Sequence, residues 1–410
     1  MKQGRDLAES TLSIVLAGGH GIRLDPLTRN VCKPALPFGG AFRNIDFSLS
    51  NCVNSGLRTI GVATLYKPES LLAHLALRWR NGATGGKALV EAWRAEERTE
   101  HSGECGTAHA VGCNLGSIRA LGHPLILVLA GDHVYKMDYR PMLEAHRAHG
   151  AAVTIGCVEM PLSDSRHFGI LKIGQEGRVE RFVEKPKPCP EMQGDGADGA
   201  LASMGIYVFD ADLLARVIAI DAATRASHHD FGIDILPRLV ESGSRVFAHV
   251  FRGTDQPPRP YWRDVGTLGA YWRAHMDLLA PEPLLTLYDP RWPIRPAAAA
   301  PRLIRSPSAT AAGGTIESSI VTAGCEVAGK VSRSVLSDSV KVGRGAEVTE
   351  SVVLPGAVIG ARSRLRGVIV DAGYRVPDGT ISEPRARSAP PLVLSSYGSV
   401  ASGAPRAHAS

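Results

Sequence analysis

The segment Leu16-Ala-Gly-Gly-His-Gly-Ile-Arg-Leu24 places glycines at 18, 19 and 21 directly behind a short apolar run. A backbone without Cβ atoms can come close to a phosphate group. Leu24 stands where a dinucleotide-binding GxGxxG needs its last glycine, and no Gly-Lys-Ser/Thr follows as in a Walker A loop. Alone, the cluster fits an ordinary turn as well. Arg23 and the later Lys33-Pro34 shift the balance, because two cations beside a glycine loop suit a triphosphate. Asp132, in Ala130-Gly-Asp-His133, follows the most apolar run of the chain, and Asp264 stands in Tyr261-Trp-Arg-Asp-Val-Gly-Thr267. Carboxylates supply the hard oxygens that Mg²⁺ prefers, and two of them on one ion bridging phosphate oxygens would make a phosphoryl- or nucleotidyl-transfer site. Asp132 fits a helix N-cap too, and spacing does not bring 132 and 264 together. Glu184-Lys185-Pro186 sets an acid and a base on a rigid turn, either Lys185 on a phosphate with Glu184 on sugar hydroxyls or a solvated salt bridge. His228-His229 and the His146/His149 pair lack carboxylate or cysteine company in the sequence and read as surface residues.

These residues need a scaffold that brings loops together, and the apolar pattern describes one. Strand-like runs at Leu12–Ala17, Thr59–Thr64, Leu125–Ala130, Ala152–Val158 and Met204–Phe209 alternate with helical stretches at Asp46–Ser55, Pro141–His149 and Asp212–Ile218. Such alternation predicts an α/β domain with a mostly parallel sheet covered on both faces, ligands binding at the carboxyl ends of its strands.

The chain has 410 residues, 44% of them hydrophobic and 21% charged, which excludes disorder as its main state. Residues 1–290 carry 31 basic and 32 acidic side chains, while residues 291–410 carry 15 and 8. The basic half attracts anions. Without an aromatic-interleaved basic strip, a basic helix or zinc-finger spacing, nucleic acid is not expected as a partner. No run approaches the ~18 apolar residues of a membrane span. The polar Met1–Thr11 stretch lacks a secretion-signal core, and seven scattered cysteines include no CxxC. The expectation is a soluble cytoplasmic protein with reduced thiols.

Beyond residue 280 the pattern changes. Residues 281–310 hold Pro283, Pro290, Pro293, Pro296, Pro301 and Pro307 and read as a linker. Then Leu336-Ser-Asp-Ser-Val340-Lys, Val342-Gly-Arg-Gly-Ala346-Glu, Val348-Thr-Glu-Ser-Val352-Val and Leu354-Pro-Gly-Ala-Val358-Ile repeat every six residues. Each hexad opens on an aliphatic residue and carries a small or aliphatic one fifth, the mark of a parallel β-helix. The organisation expected is a domain over 1–280, a linker over 281–310, a β-helix over 311–381 and a disordered Ser/Ala/Pro-rich tail over 382–410.

From about Ile14 to Asp378 the chain resembles the bacterial glucose-1-phosphate adenylyltransferases, a branch of the sugar-nucleotide pyrophosphorylases. The resemblance rests on Leu16–Leu24, Lys33-Pro34, Phe42–Gly56, Leu129–Tyr139, Phe182–Pro186, Asp230–Pro237, and above all SMGIYVFD, YWRDVGT and DPRWPIR. It implies a Rossmann-like nucleotidyltransferase domain followed by a left-handed β-helix. It also implies a homotetramer that joins ATP and α-D-glucose 1-phosphate into ADP-glucose and pyrophosphate for glycogen synthesis. By position, Gly18, Gly19, Arg23 and Lys33 would face ATP, Asp132 and Asp264 would bind Mg²⁺, and Gly169, Glu184, Lys185 and Ser203 would surround the sugar phosphate. There are departures from the family pattern. His20 replaces an arginine, Leu65 a glutamine, and Glu104 and His109 a tyrosine and an aspartate beside the sugar site. Asn30 and Val31 replace a basic pair that in enteric members contacts fructose bisphosphate and AMP, and Ile233 replaces a lysine. These changes leave a second reading, a non-catalytic or weakly catalytic regulatory paralogue.

Overall fold

The computed structural model describes residues 2–19, 21–83, 86, 88–94, 106–187, 199–253, 260–295, 302–384, 389–398 and 400–401. The chain forms two compact units: residues 1–19, 47–131 and 135–262 make the first, and 20–46, 132–134 and 263–410 the second.

The first unit is built on a nine-stranded sheet: β1 (Thr11–Ala17), β2 (Thr59–Thr64), β3 (Leu89–Arg94), β4 (Leu125–Ala130), β5 (Val153–Pro161), β6 (Gly169–Ile173), β7 (Val179–Glu184), β8 (Gly199–Asp210) and β9 (Val246–Val250). The order β7-β6-β8-β4-β1-β2-β3 is extended by β5 on β8 and β9 on β5. β1 to β4 pair in parallel, as does β9 with β5, while β8 runs antiparallel to β4, β5 and β6. The sheet is thus mostly parallel, as expected for strands that read as continuous apolar runs. Ile14, Ile126, Val128, Ile155 and Phe209 are fully buried in one core with Leu214 and Ile218 of the Ala211–Ala223 helix. His146 belongs to this interior rather than to the surface, its Nδ1 being 2.9 Å from the Thr154 hydroxyl. His149 is half-buried and stacks on Phe247 at 4.5 Å.

The strand order reverses between β1 and β4. They lie in register, Leu16 opposite Ala130, and the Gly131 amide donates to the Leu16 carbonyl at 2.9 Å. Their carboxyl ends are therefore the topological switch point where open α/β sheets bind ligands.

In the second unit the hexads coil into a parallel β-helix of three short-strand sheets. Val331, Val348 and Leu365 stack in register, as do Val335, Val352 and Ile369, so one coil takes about three hexads. Val327, Val342, Ile359 and Val376 fill another inner column. Ser319, Ser334 and Ser351 form a buried polar ladder at one corner. Each hydroxyl donates to the carbonyl two residues earlier, at 2.6, 2.8 and 2.7 Å. Each also accepts an amide of the next coil, at 3.1, 3.1 and 3.3 Å. These serines satisfy backbone groups that a tight corner would otherwise bury unpaired.

Two expectations change here. Within the supposed linker, Leu285, Leu287 and Ile294 are buried, and Arg302–Ile304 pairs antiparallel with Ser319–Val321 on the first coil. Within the supposed tail, Leu392–Leu394 pairs in parallel with Val368–Val370 and adds another coil, closed by Val400–Ala401. The aliphatic triplet outweighs the Ser/Pro composition around it. Helix Leu268–Asp277 lies against the coils, Trp272 Nε1 donating to the Glu350 carbonyl at 2.8 Å. His275 of that helix is neutral, its Nδ1 on the Tyr271 carbonyl and its Nε2 accepting the Gly39 amide, and burial pushes its pKa down to about 4. Among the described residues no helix is long and apolar enough to cross a membrane.

Candidate active site

The chain leaving β1 passes Gly18 and Gly19 and then carries Arg23 and Lys33; the chain leaving β4 carries Asp132. Gly18 packs on Leu65, while nothing lies within 4 Å of a Cβ placed on Gly19. A 3₁₀ turn at Ile22–Leu24 presents Arg23, and the Thr28 hydroxyl closes the loop on the Gly21 carbonyl at 2.9 Å. A second 3₁₀ turn, Lys33–Ala35, begins with the φ that Pro34 fixes, and Asn44 Nδ2 donates to the Lys33 carbonyl at 3.0 Å. Asp264 ends the short Trp262–Asp264 strand, which pairs with His133–Tyr135.

Four of the sequence-derived residues meet in the second unit. Lys33 Nζ lies 2.9 Å from Asp132 Oδ2 and 2.5 Å from Asp264 Oδ1, and Arg23 lies 3.9 Å from Asp264 Oδ2. The Lys33 side chain is 7% exposed, against 58% for Arg23. Burial alone would raise the Asp264 carboxyl, but Lys33, His133 and Arg23 outweigh it and hold that carboxyl well below the usual range. Asp132 is lowered too, Lys33 and His133 overcoming burial. Burial opposes the Lys33 ammonium, yet its two carboxylates keep it protonated and raise its pKa.

The donor set fits a divalent cation. Asp132, His133 and Asp264 each offer a ligand atom within 4.8 Å of the others, and the Lys33 ammonium already sits as a cation between the carboxylates. Gly266 was not singled out from the sequence. A Cβ there would lie 2.8 Å from Asp264 Oδ1 and 3.0 Å from the Arg23 guanidinium, so a side chain at this position would push the ends of both groups aside. The signal was present in YWRDVGT, two residues past the aspartate.

The remaining sequence-derived residues lie in the first unit. Lys185, at φ 44°, bonds Glu184 Oε1 at 2.9 Å and stays 58% exposed. Gly169 faces Glu184 across the β6–β7 pair, and a Cβ on it would stand 2.4 Å from the Phe182 ring and 2.8 Å from Glu184 Oε2. Ser203 is buried on β8, its hydroxyl 3.3 Å from that of Tyr207. Asp230 accepts the Gly232 and Ile233 amides at 2.8 and 3.1 Å and the Thr107 hydroxyl at 2.9 Å, a cap that sequence reading did not single out. His229, read as lacking carboxylate company, bonds Asp221 at 2.8 Å, and His228 lies 3.5 Å from Asp234; chain folding supplies both partners. His109 reaches Cys113 at 3.4 Å. His20 and Glu104 lie outside the described residues.

Arg23, Lys33 and the two carboxylates can hold a polyphosphate and a divalent cation together, and comparison with known proteins gives the same chemistry. Residues 12–280 match the nucleotidyl transferase family and residues 302–383 the family described as GlmU-like, C-terminal hexapeptide. The glucose-1-phosphate adenylyltransferase of Paraburkholderia phymatum is 45% identical over 92% of this chain and 90% of its own length. That of Paraburkholderia phytofirmans is 44% identical over 92% and 91%, and that of Methylococcus capsulatus 43% over 92% and 88%. With identity at this level across both parts, the chain belongs to the nucleotidyl transferases and, among them, to the glucose-1-phosphate adenylyltransferase family.

Proposed function

We propose that the protein converts ATP and α-D-glucose 1-phosphate into ADP-glucose and pyrophosphate, in the cytoplasm, as a step of glycogen synthesis. The observation that carries this reading is the buried Lys33 held between Asp132 and Asp264, with Arg23 beside them. Arg23 and Lys33 take the ATP phosphates, and the Gly18-Gly19 backbone is a substrate-binding loop. Asp132 and Asp264 hold Mg²⁺, which when bound would neutralise phosphate charge as it spreads in the transition state. Glu184 takes sugar hydroxyls, Lys185 the sugar phosphate, and Gly169 and Ser203 shape that surface. The sugar phosphate oxygen attacks the α-phosphorus in line, and the bond to the leaving pyrophosphate breaks. This single displacement needs no covalent protein intermediate, so positioning and fixed charge do the catalytic work. A purely regulatory role is not favoured, because the relatives matched across nine-tenths of the chain are named glucose-1-phosphate adenylyltransferases. Incubation with a panel of nucleoside triphosphates and sugar 1-phosphates, with products resolved chromatographically, tests the reading. ADP-glucose should dominate, and a different base or sugar in the main product would refute the assignment.

Lys185→Gln should raise KM for glucose 1-phosphate about 10- to 10²-fold, the worth of one charge-assisted bond, and leave KM for ATP nearly unchanged. Steady-state kinetics with each substrate varied in turn check this, and equal effects would refute the role.

Regulation should differ from that of enteric relatives. Asn30 carries no charge, and its amide donates to the Tyr397 hydroxyl at 2.8 Å. Arg29 lies 4.4 Å above the Tyr397 ring and commits its charge to Asp25 through bonds of 2.6 and 2.8 Å. A bisphosphate needs several available cations at close range. Fructose 1,6-bisphosphate should therefore give little activation in a titration of initial rate, and strong micromolar activation would contradict this.

The β-helix leaves Ile381 and Leu303 exposed, 72% and 36%, and a homotetramer is the assembly proposed. Sedimentation should give four times the chain's 43.5 kDa, and a monomer would refute it.

A further inference from the structure

We propose that Gly232 is a positioning residue for glucose 1-phosphate: its missing side chain leaves the space in which the Glu184 carboxylate sits. The inference rests on the reading above that Glu184 takes sugar hydroxyls, and it adds what fixes that carboxylate in place. Glu184 closes β7, and its Oε1 bonds Lys185 at 2.9 Å. Its Oε2 faces glycine instead. A Cβ on Gly232 would stand 2.6 Å from Oε2 and 3.0 Å from the carboxyl carbon of Glu184. A carbon atom does not sit that close to an oxygen, so a side chain at 232 and the present Glu184 position exclude each other.

Backbone conformation does not account for the glycine. Gly232 lies in the helical segment Phe231–Ile235 and does not have a positive φ. Alanine is the more stable choice in helical geometry. After Glu184, the next atom a Cβ would meet is Asp230 Oδ1 at 3.4 Å, an ordinary contact. The room kept free at 232 is therefore room for Glu184. The backbone there is anchored: the Gly232 amide donates to Asp230 Oδ1 at 2.8 Å, and Asp230 Oδ2 accepts the Thr107 hydroxyl at 2.9 Å. The neighbouring Phe231 ring packs 5.7 Å from those of Tyr207 and Phe209. The carboxylate, by contrast, ends a flexible side chain that is 20% exposed. A methyl group at 232 would thus displace Glu184 and leave the fold in place. At Gly169 a Cβ would also meet the buried Phe182 ring, at 2.4 Å, so 232 is the position that reports on the carboxylate alone.

The test uses the full-length protein and steady-state kinetics with each substrate varied in turn. Gly232→Ala should raise KM for glucose 1-phosphate about tenfold, with KM for ATP nearly unchanged and the thermal melt not lowered. Glu184→Ala alone should raise the same KM by at least as much. In the Glu184→Ala background, Gly232→Ala should add almost nothing, because the methyl group then enters space the carboxylate has vacated. An unchanged KM in Gly232→Ala, or its full effect repeated in the Glu184→Ala background, would overturn the role of Gly232 and leave Glu184 on the sugar. A Glu184→Ala protein with unaltered KM for glucose 1-phosphate would overturn the underlying reading of Glu184 instead. Should Gly232→Ala lower the melting temperature, the pairing with Glu184→Ala still decides: restored stability supports the shared space, and instability in both backgrounds refutes it.

Discussion

Asp132→Asn should lower kcat by at least ~10²-fold, about 2.7 kcal/mol of barrier, with the fold intact. Asparagine keeps the shape of the side chain and can still accept from the Lys33 ammonium. What it loses is a negative charge at the end of β4, where hard oxygen donors and a fixed counter-charge are needed together. The fold should persist because Lys33 retains Asp264 at 2.5 Å, and removing one of two facing carboxylates relieves their mutual repulsion. Steady-state kinetics alongside a thermal melt make the comparison. Near-normal turnover would remove Asp132 from the metal site, and loss of folding would assign it a structural role instead.

Lys33→Gln should cost both activity and stability. In the native protein one ammonium compensates two carboxylates that burial disfavours, so the variant leaves two like charges facing each other. Removing one partner of a fully buried pair costs about 3–5 kcal/mol. With Asp132 and Asp264 still 24% and 15% exposed, water screens part of this, and about 2 kcal/mol is expected at pH 7. The pH dependence has a definite sign. Asp264 and Asp132 are held below their ordinary values, so the stability they contribute is present above pH ~4 and is lost as the pH falls below it. In the variant one carboxyl should instead be raised by its neighbour, and protonation then favours the folded state. The stability gap between the two proteins should therefore be widest at neutral pH and close on acidification. Millimolar divalent cation should restore part of the loss at pH 7. Denaturant melts between pH 4 and 8, with and without metal, check this, and a gap that widens toward acid would contradict it.

Much of the site was legible because its residues sit at strand ends that declare themselves. Leu125–Ala130 is a continuous apolar run, so Asp132 could be placed at a carboxyl end, and Leu12–Ala17 did the same for the glycine loop. The hexads were legible because a coil repeats one burial pattern in register. Other features depend on distance in space. That Asp264 meets Asp132 follows from the pairing of two three-residue strands, too short to carry a period. Strands β6, β7 and β9 lie at the less apolar flank of the sheet and gave no clear run. Gly266 and the Asp230 cap show their purpose only when their neighbours are placed. The Leu392–Leu394 coil was hidden because composition over a window of thirty residues overrides three aliphatic positions.

Pyrophosphate release by the purified protein, followed from ATP, glucose 1-phosphate and Mg²⁺ with each component omitted in turn, tests the central claim most directly. The structure and family together predict release that needs all three and matches ADP-glucose formed mole for mole. Release that continues without glucose 1-phosphate, or none with all three present, would contradict an adenylyltransferase built on Arg23, Lys33, Asp132 and Asp264.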